Sequence, residues 1–232
     1  MLAITFTISC EDKEKDKPAE ANTVAAVPET AVTASPPETA EKTVPDKRET
    51  FTDSRDGKTY KKVTIGSQTW MAENLNYDAK GSKCYEDKPE NCEKYGRLYD
   101  WETAMKACPS GWHLPTKDEW EAITAYAGGE STGGEKLKAK SGWNDYDGAS
   151  GNGTDDFGFS ALPGGELLDG RLFQNVGDVG RWWSASEDDG SEPEYASDGD
   201  AAYDWNAFSR SDVILGLSKK SFCLYSIRCI KD

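Results

Sequence analysis

The stretch that most constrains this chain is Cys108 to Ala127, CPSGWHLPTKDEWEAITAYA. Pro109-Ser110-Gly111 makes a turn, Trp112-His113-Leu114 is a short apolar run, and Pro115 ends it. Thr116 then offers the hydroxyl of a helix N-cap. Glu119, three residues on, completes a capping box, in which side chain and backbone satisfy each other's unpaired donors. Trp120, Ile123 and Ala127 follow at i, i+3 and i+7, one apolar stripe facing a core. Gly128-Gly129 stops the helix. The spacing predicts a strand, a tight proline turn and a short anchored helix.

The sequence on either side of this stretch reads as short strands. Tyr60, Val63 and Ile65 lie in a strand-like run, Gly66-Ser67 turns it, and Gln68-Thr69-Trp70-Met71 returns, a hairpin. Asp100 can cap a short helix carrying Trp101 and Met105, with Leu98 ahead of it and Pro109 at its end. Residues 128–156 are rich in Gly, Ser, Asn and Asp and read as a long loop region anchored by Leu137 and Trp143. Further strands are expected in 157–165, at Arg181–Ser186, at Ala201–Trp205 and over Phe222–Ile230. Few helices, many short strands and long loops give an α+β domain.

The first fifty residues differ in kind. From residue 11 to about 50 there is no hydrophobic periodicity, a mixed charge run at 11–17, and Pro18, Pro28, Pro36, Pro37 and Pro45 among Ala, Thr, Val and Glu. Such a segment buries too little apolar surface to offset its ordering entropy. It is expected to be a flexible tether with a reach of some tens of Å, by the roughly 5–6 Å × √n scaling of such chains. It dilutes the whole chain to 36% apolar residues, with a mean hydropathy of -0.75. It holds ten acids and six bases, so eleven of the fifteen net negative charges fall on residues 51–232. An acidic domain argues against a nucleic-acid partner, since phosphate binding needs a basic face. No stretch approaches the roughly 20 apolar residues of a membrane-spanning helix. Met1–Ser9 is apolar and uncharged, and Ile8-Ser9-Cys10 is similar to the end of a bacterial lipobox. Residues 1–10 are therefore read as a truncated lipoprotein signal whose true start lies upstream, with Cys10 as the lipidated residue. Residues 11–50 are the tether and residues 51–232 the folded domain.

A set of motifs runs in order through 51–232: Asp56-Gly57-Lys58-Thr59-Tyr60, Ile65 through Tyr77, Tyr95-Gly96-Arg97-Leu98-Tyr99 with Trp101, Cys108 through Trp120, Gly158 through Gly165, Trp182-Trp183-Ser184, and Ile227 through Asp232. Together they resemble the Fibrobacter succinogenes major paralogous (FISUMP) domain, whose members are extracytoplasmic and often lipoproteins. More distantly, Trp112–Thr116 with Glu119-Trp120-Glu121 is similar to a stretch of the formylglycine-generating enzymes, and Ile227-Arg228-Cys229 to their closing strand. That resemblance implies a C-type-lectin-like fold: N- and C-terminal strands paired, two short helices beside a small sheet, and ligand-carrying long loops.

Outside the cytoplasm the cysteines are expected to pair. With Cys10 lipidated, five remain. Cys84 with Cys92 would close a short loop. Cys108 with Cys229 would close a long one, stabilising by roughly 4–5 kcal/mol on the chain-entropy view. Cys223 is then either buried on its own or in competition with Cys229. Read against the formylglycine-generating enzymes, Cys223 and Cys229 could instead form a metal-binding thiol pair. His113 is the sole histidine, which disfavours a triad or a multi-histidine zinc site, and reads as packed or at a rim. Asn144, Asp145, Asp147, Asn152, Asp155 and Asp156 offer oxygen ligands suited to calcium, without the spacing of an EF-hand; a solvated acidic loop is the alternative. Trp143-Asn144-Asp145 is similar to a tripeptide of calcium-dependent lectins, but it comes early in the chain, and Glu192-Pro193 is followed by Glu194 instead of Asn. Trp143, Trp182, Trp183, Tyr203 and Trp205 are candidate sugar contacts. Neighbours on a strand point to opposite faces, so only one of Trp182 and Trp183 is expected in the core.

On these readings the protein is a lipid-anchored outer-membrane protein, periplasmic or surface-exposed, with a non-catalytic binding or adhesion module for a polysaccharide or an envelope component. A metal-dependent, oxidoreductase-like enzyme using Cys223 and Cys229 is one alternative, and a structural envelope protein another. An exposed aromatic patch beside 143–156 and 182–205 would mark binding. Two facing reduced sulfurs in a cleft would mark catalysis.

Overall fold

The computed structural model describes residues 48–188, 199–210 and 212–232. Cys10, the tether up to residue 47, and Glu192-Pro193-Glu194 lie outside them. In chain order the strands are β1 (Glu49–Thr52), β2 (Thr59–Ile65), β3 (Gln68–Met71), β4 (Trp112–His113), β5 (Glu166–Leu168), β6 (Leu172–Gln174), β7 (Val179–Glu187), β8 (Ala201–Phe208), β9 (Val213–Lys219), β10 (Cys223–Leu224) and β11 (Ile230–Lys231). The helices are α1 (Pro89–Tyr95), α2 (Trp101–Ala107), α3 (Lys117–Ala127) and α4 (Glu130–Leu137). The architecture is α+β. Among the described residues no helix is long and apolar enough to cross a membrane.

Turn chemistry and capping build the elements that were expected. Ile65 faces Gln68 across a two-residue turn, so β2 and β3 form the hairpin. Gly66 supplies the positive φ of 61° at its tip. Asp100 accepts from the Thr103 backbone N–H at 2.8 Å and starts α2. At α3 the capping box is complete: Thr116 Oγ accepts from the Glu119 N–H, and Glu119 Oε2 accepts from the Thr116 N–H at 2.8 Å. Gly128, at φ 113°, ends the helix.

Other elements depart from the expectation. β1 begins at Glu49, inside the stretch read as tether, and pairs with β2. α1 occupies the loop between Cys84 and Cys92 and runs past it, with Pro89 at its start. α4 lies in the region read as loop; its ESTGGEKL sequence has two glycines and little helix propensity. It holds by packing, with Gly133 seated against Thr124 O, Ala127 and Val213. β9 was not anticipated. The expected strand over 157–165 has only two isolated bridges, Lys138 to Ala161 and Gly165 to Gly180; the carbonyls of Phe159 and Ser160 serve a side chain instead, as described below.

The closing segment is not one strand. It serves three sheets in turn. The first has the order β1-β2-β3-β11-β4, the second β10-β5-β6 and the third β7-β8-β9. Cys223-Leu224 pairs with β5. Residues 225–227 then exchange backbone hydrogen bonds with Tyr99, Arg181, Trp183 and Leu75. Ile230 pairs with both Trp70 and His113.

The third sheet lies between two apolar clusters, one holding Trp183 with Met71, Tyr99 and Tyr225, the other Trp182 with Trp70, Trp120 and Trp205. Both Trp182 and Trp183 have 0% exposure. The reading that one of them leaves the core is thus corrected: β7 is covered on both faces. Trp120 stacks on Trp205 at 4.9 Å and 9°, and Trp182 lies 5.3 Å from Trp205. Each buried indole N–H has an acceptor, as buried polar groups require: Trp182 donates to Asn74 Oδ1 at 2.8 Å, Trp183 to Tyr99 O at 2.8 Å, and Trp205 to Thr124 Oγ1 at 2.9 Å. The second and third sheets meet at a buried ionic group. Arg181 Nε is 3.1 Å from Glu166, its Nη1 is 3.8 Å from Asp204, and the same Nη1 donates to Tyr225 Oη at 3.0 Å. Burial raises the Asp204 pKa.

Candidate functional site

The stretch Cys108–Thr116 and the end of α2 border a shallow cleft of about 280 Å³. Its apolar part is Met105, Trp112 and Leu114, and its polar part Lys106, His113 and Thr116. Met105 is 43% exposed, a large apolar side chain open to solvent on α2. Trp112 is half-buried, with one ring face stacked on Phe51 at 4.3 Å. The Cys108–Cys229 disulfide lies at the cleft's edge.

His113 is the polar centre. Pairing of β4 with β11 brings it beside the end of the chain, and its position before the proline turn brings it to the first turn of α3. Nδ1 lies 2.7 Å from Asp232 Oδ1 and Nε2 lies 3.0 Å from Glu119 Oε1. With a carboxylate at each nitrogen, the form that fits is the imidazolium, donating twice. Partial burial alone would lower the His113 pKa, but the hydrogen bonds to Asp232 and Glu119 outweigh it and raise the pKa from its ordinary value. Glu119 therefore has two tasks, one oxygen in the capping box and the other on His113. The capping role is legible from sequence. The His113–Asp232 contact spans 119 residues and has no local signal.

The predicted sugar contacts are elsewhere. Trp143, Trp182, Trp183, Tyr203 and Trp205 are all buried, with exposures of 0–5%. They form core, so the expected aromatic platform is corrected: the acceptors that a ligand would replace are backbone and side-chain groups of the chain itself. The candidate calcium ligands do not converge either. Asn144, Asp145 and Asp147 are exposed. Asp155 is occupied by Ser160, whose N–H and hydroxyl donate to it at 2.7 and 2.6 Å. Asp156 points away into solvent on a backbone bound to Lys136 O. Among the described residues no three His, Cys, Asp or Glu side chains gather in a way that could hold a metal.

Both expected disulfides are formed, Cys84–Cys92 and Cys108–Cys229. Cys229 is therefore not a thiol partner for Cys223, which is fully buried and outside both disulfides. The dithiol that the enzyme alternative needs is not assembled.

The motifs that carried the resemblance meet inside the protein. Asn74 Oδ1 accepts from Trp182 Nε1 at 2.8 Å and from Arg228 Nη2 at 2.8 Å, while Asn74 Nδ2 donates to Tyr95 O at 2.8 Å. Arg228, with 0% exposure, also donates to the carbonyls of Phe159 and Ser160. Its guanidinium stacks 4.3 Å from the Phe159 ring. This accounts for part of the irregularity of the 157–165 segment, where the carbonyls of Phe159 and Ser160 face an arginine and not a strand. Five separate motifs thus close one buried network.

The pattern of the Fibrobacter succinogenes major domain matches residues 63–231. The chain belongs to this family. No curated protein and no solved structure shows significant similarity to it. For this Fibrobacter succinogenes major domain, the motif residues Asn74, Trp182 and Arg228 are folding determinants, whereas the cleft combines the Cys108–Thr116 part of a motif with Met105 and Lys106, which lie outside the motifs.

Proposed function

We propose that the domain is a non-catalytic binding module, held to the outer membrane by a lipid on Cys10, that engages a polysaccharide or another envelope component through the cleft between α2, β4 and α3. The observation that carries this reading is the pairing, in one open cleft, of the exposed Met105 and the half-buried Trp112 with the polar side chains of Lys106, His113 and Thr116. Saccharides are held in this way: C–H faces lie on apolar or aromatic surface, and hydroxyls exchange hydrogen bonds with polar side chains at the rim. The acidic domain fits a neutral ligand better than an acidic one. Pairing of β3 with the last strand, β11, and the position of α2 and α3 beside that sheet support the C-type-lectin-like reading of the fold.

The test is titration of the full chain with neutral oligosaccharides, uronic-acid oligosaccharides and peptidoglycan fragments, followed by calorimetry. The expected result is saturable binding to a neutral glycan that Met105→Asp abolishes without changing Tm. Binding that survives Met105→Asp, or no binding to any member of the panel, would overturn the assignment of the cleft.

A further inference from the structure

The loop expected to hold calcium is built around a different cation. Lys138 follows α4 directly and is 1% exposed. Its Nζ donates to Gly151 O at 2.6 Å, Phe208 O at 2.9 Å, Arg210 O at 3.1 Å and Ser209 O at 3.2 Å. An ammonium has three protons, and here four carbonyl dipoles converge on it. That is the arrangement by which backbone oxygens replace the hydration shell of a metal ion. The Trp143 ring closes one side, with its centroid 4.9 Å from Nζ. Burial lowers the Lys138 pKa to about 8, which leaves the group an ammonium at neutral pH, and Asp212 and Glu135 add negative potential nearby.

The carbonyls come from two places far apart in sequence, the 143–153 loop and the end of β8. The backbone approaches that permit this are close. A Cβ on Gly153 would lie 2.3 Å from Lys138 O, and one on Gly151 would lie 1.9 Å from Asn144 O. Without a positive charge at the centre, the four carbonyls would face one another in a site closed to water, which is costly.

We infer that the carbonyls of Gly151, Phe208, Ser209 and Arg210 form a monovalent-cation site whose resident ion is the Lys138 ammonium, and that this ion, not calcium, holds the 143–153 loop to the end of β8. When the lysine is shortened, the site accepts ammonium or methylammonium from solution.

The experiment compares the full wild-type chain with Lys138→Ala and Lys138→Met at pH 7, reading Tm and amide exchange at 143–153. Wild type is expected to melt at the same temperature in calcium and in EDTA. Lys138→Ala is expected to melt lower, with exchange in the loop faster by about tenfold or more. Methylammonium chloride should restore part of both, and tetramethylammonium chloride at equal ionic strength should not, because that ion is too large and has no proton to donate. Equal behaviour in the two salts, or a wild type stabilised by calcium, would overturn the assignment. Lys138→Met keeps the apolar stem and removes the ion, and so decides the matter if the alanine variant does not fold: stability equal to wild type would overturn the inference, and a loss supports it.

Discussion

Arg228 places a full charge where no water reaches and surrounds it with neutral oxygens, Asn74 Oδ1 and the carbonyls of Phe159 and Ser160. Burial pulls its pKa down only to about 9, so it remains charged at neutral pH. Removing it leaves several buried acceptors without a donor, each costing about 1–3 kcal/mol. Arg228→Met is therefore expected to destabilise by about 3 kcal/mol or more, read from urea unfolding. Asn74→Ala removes the other side of the same network, so the double variant should lose clearly less than the sum of the single ones; full additivity would show that the two act independently. Trp182→Ala should cost about 3–5 kcal/mol, with glycan binding by the folded fraction unchanged. A selective loss of binding at unaltered stability would return Trp182 to the ligand site.

At the scale of elements, the histidine clamp joins β4, the first turn of α3 and the chain's last residue. Its pKa is raised in the folded state. A raised value means that the contribution to stability is complete below the unfolded histidine pKa and is lost as pH rises through the folded one. Wild type should therefore exceed His113→Gln in Tm by more at about pH 5.5 than at about pH 8.5. A gap that does not change with pH would mean that the two carboxylates do not hold the protonated ring. β7 shows a second rule of elements. Its alternation puts Trp182 and Trp183 on opposite faces, as any strand must, but the third sheet has a cluster on each face. Alternation by itself therefore does not say which residue meets solvent.

The whole molecule is closed by its last ten residues, which join three sheets. The Cys108–Cys229 disulfide reinforces that closure across a sequence separation of 121, against 8 for Cys84–Cys92. By loop entropy the first contributes about 5 kcal/mol and the second about 2.5 kcal/mol. Replacing Cys108 and Cys229 together by Ser should lower Tm by about twice as much as replacing Cys84 and Cys92; scanning calorimetry of the two double variants decides. An equal loss would place the stabilisation in local packing and not in the constraint on the unfolded chain.

What the amino-acid sequence determined by itself is what depends on neighbours. The capping box at Thr116 and Glu119, the Gly128 stop, the Gly66-Ser67 hairpin and the Asp100 cap are set within a few residues, by hydrogen bonds and backbone freedom that the local chain supplies. Tertiary structure alone decided the rest. α4 forms from a weak helical sequence because Gly133 lets it pack against α3 and β9. Trp182 and Trp183 went inward because β7 is covered on both faces, Tyr203 and Trp205 because the neighbouring β8 is buried along its whole length, and Trp143 because its indole donates to Ala161 O inside the fold. The acidic loop closed on Lys138, and His113 met Asp232, through contacts between residues more than a hundred positions apart or brought together by other elements. Burial and charge compensation are properties of what surrounds a side chain, and for these residues the surroundings arrive from elsewhere in the sequence.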